Sequence, residues 1–150
     1  MDFGSALSLA NSPANPTSMS TPEETEYPAL FLRGIEYFNE CEFYEAHDVW
    51  EELWAEYRGP SREFFQGLIQ VAVALHHFGN GNLGGARKLY RGSCKYLERY
   101  RPRHLGVDLE KLLAEFEACL QEVLADENVR RGVEIDVEKI PEIHLDPSPR

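Results

Sequence analysis

SREFFQGLIQVAVALHHFGNGN, Ser61 to Asn82, decides the fold. Its middle is apolar on nearly every side of a helix, the mark of a segment surrounded by other helices rather than laid on a surface. Both ends are punctuated. Upstream, RGPSR offers Gly59 as a helix C-cap, Pro60 as a stop and Ser61 as the cap of a new start. Downstream, GNGN ends the periodicity. The spacing predicts a central helix over about residues 62–78.

Working outward, the helical period continues on both sides. PALFLRGIEYFNEC predicts a first helix over about 28–40, with Leu32, Ile35, Tyr37 and Phe38 spaced for it. A second runs over about 43–57, gathering Phe43, Ala46, Val49, Trp50, Leu53, Trp54 and Tyr57 on one side. A fourth spans about Leu83 to Tyr100 and stops before Pro102. A fifth starts with Asp108 as N-cap and lines up Leu109, Leu112, Leu113, Phe116, Leu120 and Val123. A weak repeat at an offset of 40 aligns Ile35, Phe38, Phe43, Ala46 and Trp50 with Leu75, Phe78, Leu83, Ala86 and Tyr90. Both blocks have the form of a tetratricopeptide-like hairpin, helix, tight polar turn, helix. The expectation is an all-α bundle of about five helices over 28–131, the third central, with Ala46 and Gly67 at close helix contacts. Residues 1–27, rich in Ser, Pro, Asn and Thr, are expected to be a disordered tail, with Met19 an alternative start. Residues 132–150 alternate Val133, Ile135 and Val137 with acids and are expected to form an extended C-terminal tail, a strap over the bundle.

Composition narrows the function classes. Net charge is −11, against general binding of nucleic acid or anionic membrane. No apolar run reaches the roughly 20 residues of a membrane span, and the N-terminus lacks a basic leader. Cys41, Cys94 and Cys119 are odd in number and lack a CxxC, which predicts reduced, buried thiols in a cytoplasmic protein. Charge is unevenly placed. From Glu36 to Glu56 there are eight acids and no Lys or Arg; from Arg87 to Arg103 there are seven bases and one acid. Arg87, Arg91, Lys95 and Arg99 form one row on the fourth helix. The row is expected to face the acidic helix or to solvate its own, with an anion contact as the alternative.

Chemistry concentrates elsewhere. On the second helix His47, Glu51 and Trp54 lie along one margin of the apolar face, while Glu45, Glu52 and Glu56 point away. On the third, Gln66, Gln70 and His77 form a polar stripe, with Glu63 just beside them. Buried polar groups left unpaired cost roughly 1–3 kcal/mol each, so the stripe needs partners. Helices joined by a short loop run antiparallel side by side, so His47 and Glu51 are expected to meet some of Gln66, Gln70 and His77. The preferred reading is one buried hydrogen-bond network that fixes helix register. The alternatives are a small-molecule or catalytic pocket with Glu51 as base, or a divalent-metal site built from His47, Glu51 and His77. His76 projects away from the stripe, and His104 and His144 fall in loop or tail.

FNECEFYEAHDVWEELW followed by FFQGLIQVAVALHHFGNGNLGGARKLY closely resembles the signature of small bacterial and archaeal proteins known as domain of unknown function 309. The shared pattern is EAH followed by WE, then QG-x-IQ, then GN-x-x-GA, in order over about residues 30–100. The resemblance implies a multihelical bundle around one central helix. It places the characteristic positions on His47, Glu51, Trp54, Gln66, Gly67, Gln70, His77, Gly85 and Ala86. Asp48 stands where glutamate is usual. No activity is implied. The functional expectation is therefore a non-enzymatic binding or interaction module without a cofactor. Its partner would be a protein or small molecule, and an oligomer fits as well. The alternative is a metal-binding protein or metal-dependent, hydrolase-like enzyme centred on His47 and Glu51.

Overall fold

A computed structural model describes residues 27–147. The expected disordered tail, apart from Tyr27, lies outside the described residues, as do 148–150. Among the described residues six α-helices follow in order: α1 (Ala29–Asn39), α2 (Phe43–Glu56), α3 (Arg62–Gly79), α4 (Leu83–Leu97), α5 (Leu109–Cys119) and α6 (Gln121–Ala125). Within the described residues the bundle is all-α apart from a hairpin of two short strands, β1 (Arg103–His104) and β2 (Val107–Asp108). The expected fifth helix is thus two, interrupted at Leu120 (φ −98°, ψ 13°), which is itself fully buried.

The central position of α3 follows from its composition. Phe64, Phe65, Gly67, Leu68, Ile69, Val71, Ala72, Ala74, Leu75 and Phe78 are all buried, so it presents apolar surface through most of its circumference. α2 packs on one side of it and α4 on the other. Gly67 is a close approach: a Cβ there would lie 2.6 Å from Leu97 side-chain atoms. Ala46 is fully buried on α2. The first hairpin, α1–α2, closes through Trp50. Its indole lies over Gly34, and Nε1 donates to the Phe31 carbonyl at 3.2 Å in the fully buried core.

The repeat is repeated in the backbone. In the first turn Glu40 N donates to Glu36 O, Cys41 N to Phe38 O and Glu42 N to Tyr37 O. In the second, Asn80 N donates to His76 O, Gly81 N to Phe78 O and Asn82 N to His77 O, each bond 40 residues on. Cys41 (φ 63°) and Gly81 (φ 80°) hold the same left-handed position.

The β-hairpin was not apparent in the sequence. Leu105 (φ 47°) and Gly106 (φ 77°) make its two-residue loop, and positive φ at both central residues suits the right-handed twist of paired strands. After α6 the chain crosses the bundle as a strap with a single 3-10 turn, Val137–Lys139. Asn39 anchors it, donating from Nδ2 to the Ile143 carbonyl and accepting from the Ile143 N–H, both at 2.8 Å. Asp146 N–H donates to Gly106 O and the Tyr27 hydroxyl to Asp146 O.

Candidate functional site

His47 and Glu51, one turn apart on α2, come together: Nε2 lies 3.4 Å from Oε2. His47 Nδ1 lies 3.3 Å from the Tyr44 carbonyl, so in the neutral ring that nitrogen carries the proton and donates. Nε2 then shows a lone pair beside a carboxylate, an arrangement that accepts a proton or a cation between the two. The His47 side chain is 18% exposed and that of Glu51 is 55% exposed. The expectation that Glu51 is largely shielded from water is therefore not met. Trp54 lies under the Arg62 guanidinium at 3.9 Å from its ring centroid, a cation–π contact across the α2–α3 turn.

The polar stripe on α3 turns the other way. Asn82 Nδ2 lies 3.3 Å from His77 Nδ1, so the amide donates and the ring nitrogen accepts. Burial, then the neighbouring His76, push the His77 pKa below the ordinary imidazole value, which favours that neutral acceptor. The His77 ring lies over Gly85 of α4, and Gln70 over Gly92, where a Cβ would come 2.2 Å from Oε1. That oxygen is buried and has no hydrogen-bond partner among the described residues. Glu63 pairs with Arg99, and Gln66 is half-buried.

The expected single network is thus divided. His47 and Glu51 stand on the α2 side of α3, while Gln70 and His77 engage α4 and Glu63 pairs with Arg99 just beyond its end. The physical reason is that α3 has a neighbour on each flank. A helical projection fixes the face a residue occupies, not the helix it meets. His76, projected away from the stripe, lies on the α2 side instead: the Tyr44 ring sits 5.6 Å from it and 5.4 Å from His47. His47, Glu51 and His77 are not gathered as metal ligands, and the described residues hold no group of three or more His, Cys, Asp or Glu suited to an ion.

The basic row is divided as well. Arg87 is only 4% exposed and donates to the carbonyls of Val123 (3.0 Å), Asp126 (3.5 Å), Glu127 (2.9 Å) and Val129 (3.3 Å). It caps the C-terminal end of α6, where a cation also complements the helix dipole. Arg91 pairs with Glu127 and Arg99 with Glu63, so neither faces the acidic α2; Lys95 is exposed. The cysteines are free, but Cys41 is exposed, contrary to the expectation of buried thiols. Burial pushes the Cys119 thiol up to about 11.

One pair escaped the sequence reading. Ser61 Oγ donates to His104 Nε2 at 2.7 Å, with the imidazole packed against Phe64 and Tyr100. Burial holds the His104 pKa below its ordinary value, so the ring stays a neutral acceptor. Ser61 is 5% exposed and barely reachable, so the pair ties β1 to the start of α3. The signal that could have found it was Gly106, which marks a turn able to bring His104 back.

The 40-residue repeat explains why His47 stands out. It maps His47 and Glu51 onto Arg87 and Arg91. In the second hairpin those two side chains hold the end of α6. In the first, the equivalent neighbour is the end of α3, whose last carbonyls already accept from Asn80, Gly81 and Asn82. His47 and Glu51 have no capping task to perform.

The family described as Domain of unknown function (DUF309) matches residues 31–89. Among curated relatives, "Uncharacterized protein YpuF" of Bacillus subtilis (strain 168) is 30% identical over 101 residues, covering 65% of this chain and 58% of that protein. "Uncharacterized protein" of Aquifex aeolicus (strain VF5) is 28% identical over 109 residues, covering 71% of this chain and 32% of that protein. The chain therefore spans less than two thirds of the length of either relative.

Proposed function

Taking residues 31–89 as a domain of that family, we propose that the chain is a non-enzymatic binding module. Its contact surface is the partly exposed strip along the margin of α2 formed by His47, Glu51 and Trp54. The observation that carries this reading is the contrast across the repeat. Arg87 and Arg91 are spent on the fold, whereas among the described residues His47 and Glu51 bond only to each other and to Tyr44 O. Polar groups that do no structural work, on rigid helices, are available to a partner. The two tetratricopeptide-like hairpins supply a stiff frame. In the Aquifex aeolicus relative the matched segment is 32% of the protein, as suits a module carried within a longer chain.

Among the described residues no helix is long and apolar enough to cross a membrane. A cytoplasmic setting with a protein or small-molecule partner fits that and the acidic charge. The basic row is a poor anion site, since Arg87, Arg91 and Arg99 are already engaged.

The test compares capture of binding partners by three forms of the chain. Glu51→Lys, on the strip, should lose the partner, and Asp48→Lys, on the outer face of α2, should retain it. Equal capture by both variants would contradict the assignment. The second reading, a divalent-metal site with hydrolase-like chemistry, is favoured by the 3.4 Å His47–Glu51 pair alone. It requires a third ligand from a partner or a ligand molecule. Stoichiometric metal in the purified chain, lost in His47→Ala, would establish it over the module.

A further inference from the structure

A 430 Å3 cavity opens beyond Tyr44, lined by the α1–α2 turn, the last turn of α3 and the strap. None of the three strip residues lines it. Its volume is in the range of small-molecule sites. The walls divide by chemistry. Phe43, Leu75, Ile135 and Ile140 form an apolar floor and side, while Glu42, Glu45, Tyr44, His76 and Asn80 supply the polar rim.

The charge on that rim has one sign. No Lys or Arg lines the cavity, and neither Glu42 nor Glu45 forms an ion pair among the described residues. Gly79 and Asn80 bring the C-terminal end of α3, an 18-residue helix, whose dipole is negative there. The Tyr44 ring, 54% exposed, adds the face of an aromatic that attracts cations. The second hairpin differs at the matching position. Asn82 caps α4 by accepting from Gly85 N, whereas Glu42 at the same place makes no cap and leaves its carboxylate free.

We propose that this cavity binds a small organic amine: an ammonium held by Glu42, Glu45 and the end of α3, with its alkyl body against Phe43, Leu75, Ile135 and Ile140. The strap supplies half of the apolar wall, so the site is complete only when the C-terminal segment lies in place.

The experiment is a titration of the full chain, 15N-labelled, with n-pentylamine and with pentan-1-ol as its neutral counterpart of equal length. Pentylamine should produce saturable amide shifts at Tyr44, Gly79, Asn80 and Ile140, and the alcohol should bind at least tenfold more weakly. In the double variant Glu42→Gln, Glu45→Gln, pentylamine should lose at least tenfold in affinity. No saturable shift, equal affinity for the alcohol, or undiminished binding by the double variant would overturn the proposal. The alcohol comparison stands whether or not the variant folds. Failure here leaves the strip untouched, since its test reads other residues.

Discussion

At residue 41 the first hairpin turns through a left-handed cysteine; at residue 81 the second turns through glycine, in the same hydrogen-bonded frame. Between these turns and the helix ends the two hairpins share a backbone and differ in how their helices meet. α1 and α2 close around an aromatic core in which Trp50 sits on Gly34. α3 and α4 close partly on polar contacts, with Gln70 and His77 laid over glycines and Glu63 paired with Arg99. The difference teaches that backbone repetition constrains the apolar positions and leaves the polar ones to be used for separate ends.

The largest effect that would sharpen this contrast is expected at Trp50. Trp50→Ala removes a fully buried indole and its bond to Phe31 O, at a cost of about 3–5 kcal/mol in urea unfolding. Tyr90, its repeat mate, is half-buried against Phe116, and Tyr90→Ala should cost about 2 kcal/mol. Equal costs would break the distinction between the two hairpins.

Acid should act on the second hairpin. His104 and His77, near opposite ends of α3, both have pKa values lowered by burial. The fold therefore favours their neutral forms. Their stabilisation is fully present above the ordinary value of 6.5 and is lost as pH falls through the lowered folded values. Amide exchange in α3 and α4, corrected for intrinsic rate, should rise between pH 7.5 and 5, and His104→Gln should flatten the dependence near Ser61. Protection unchanged over that range would count against the Ser61–His104 tie.

Smaller effects are expected at the turns. Cys41→Gly relieves a left-handed side chain, worth about 1–2 kcal/mol, against a glycine entropy cost of about 0.5–1 kcal/mol. A net gain of about 0.5–1 kcal/mol should appear in the unfolding midpoint. Gly81→Ala should lose about 1–2 kcal/mol. A destabilised Cys41→Gly would show that the cysteine holds something the turn geometry does not.

Much of this architecture was legible in the sequence because it is punctuated. Gly59, Pro60 and GNGN bound α3, Asp108 caps α5 by accepting from Lys111 N, and the repeat places both turns. What was illegible depends on neighbours distant in sequence. Arg87 looked like one member of a surface row because its partners lie 36 to 42 residues on, at the end of α6. Gln70 and His77 were assigned to α2 because a projection cannot choose between two flanking helices. The β-hairpin has two residues per strand, too few for alternation to show. Of the candidate site, the His47–Glu51 pairing was readable from i, i+4 spacing, but its exposure was not.

The central claim is that His47, at the repeat position of a structural arginine, is not needed for the fold. Paired urea unfolding of His47→Ala and Arg87→Ala tests it most directly. Arg87→Ala should lose about 3 kcal/mol, since it strips four carbonyls of a charged donor. His47→Ala should change stability by less than about 1 kcal/mol, as for a partly exposed pair. A loss of 2 kcal/mol or more at His47, approaching that at Arg87, would contradict the account and return His47 to the framework of the bundle.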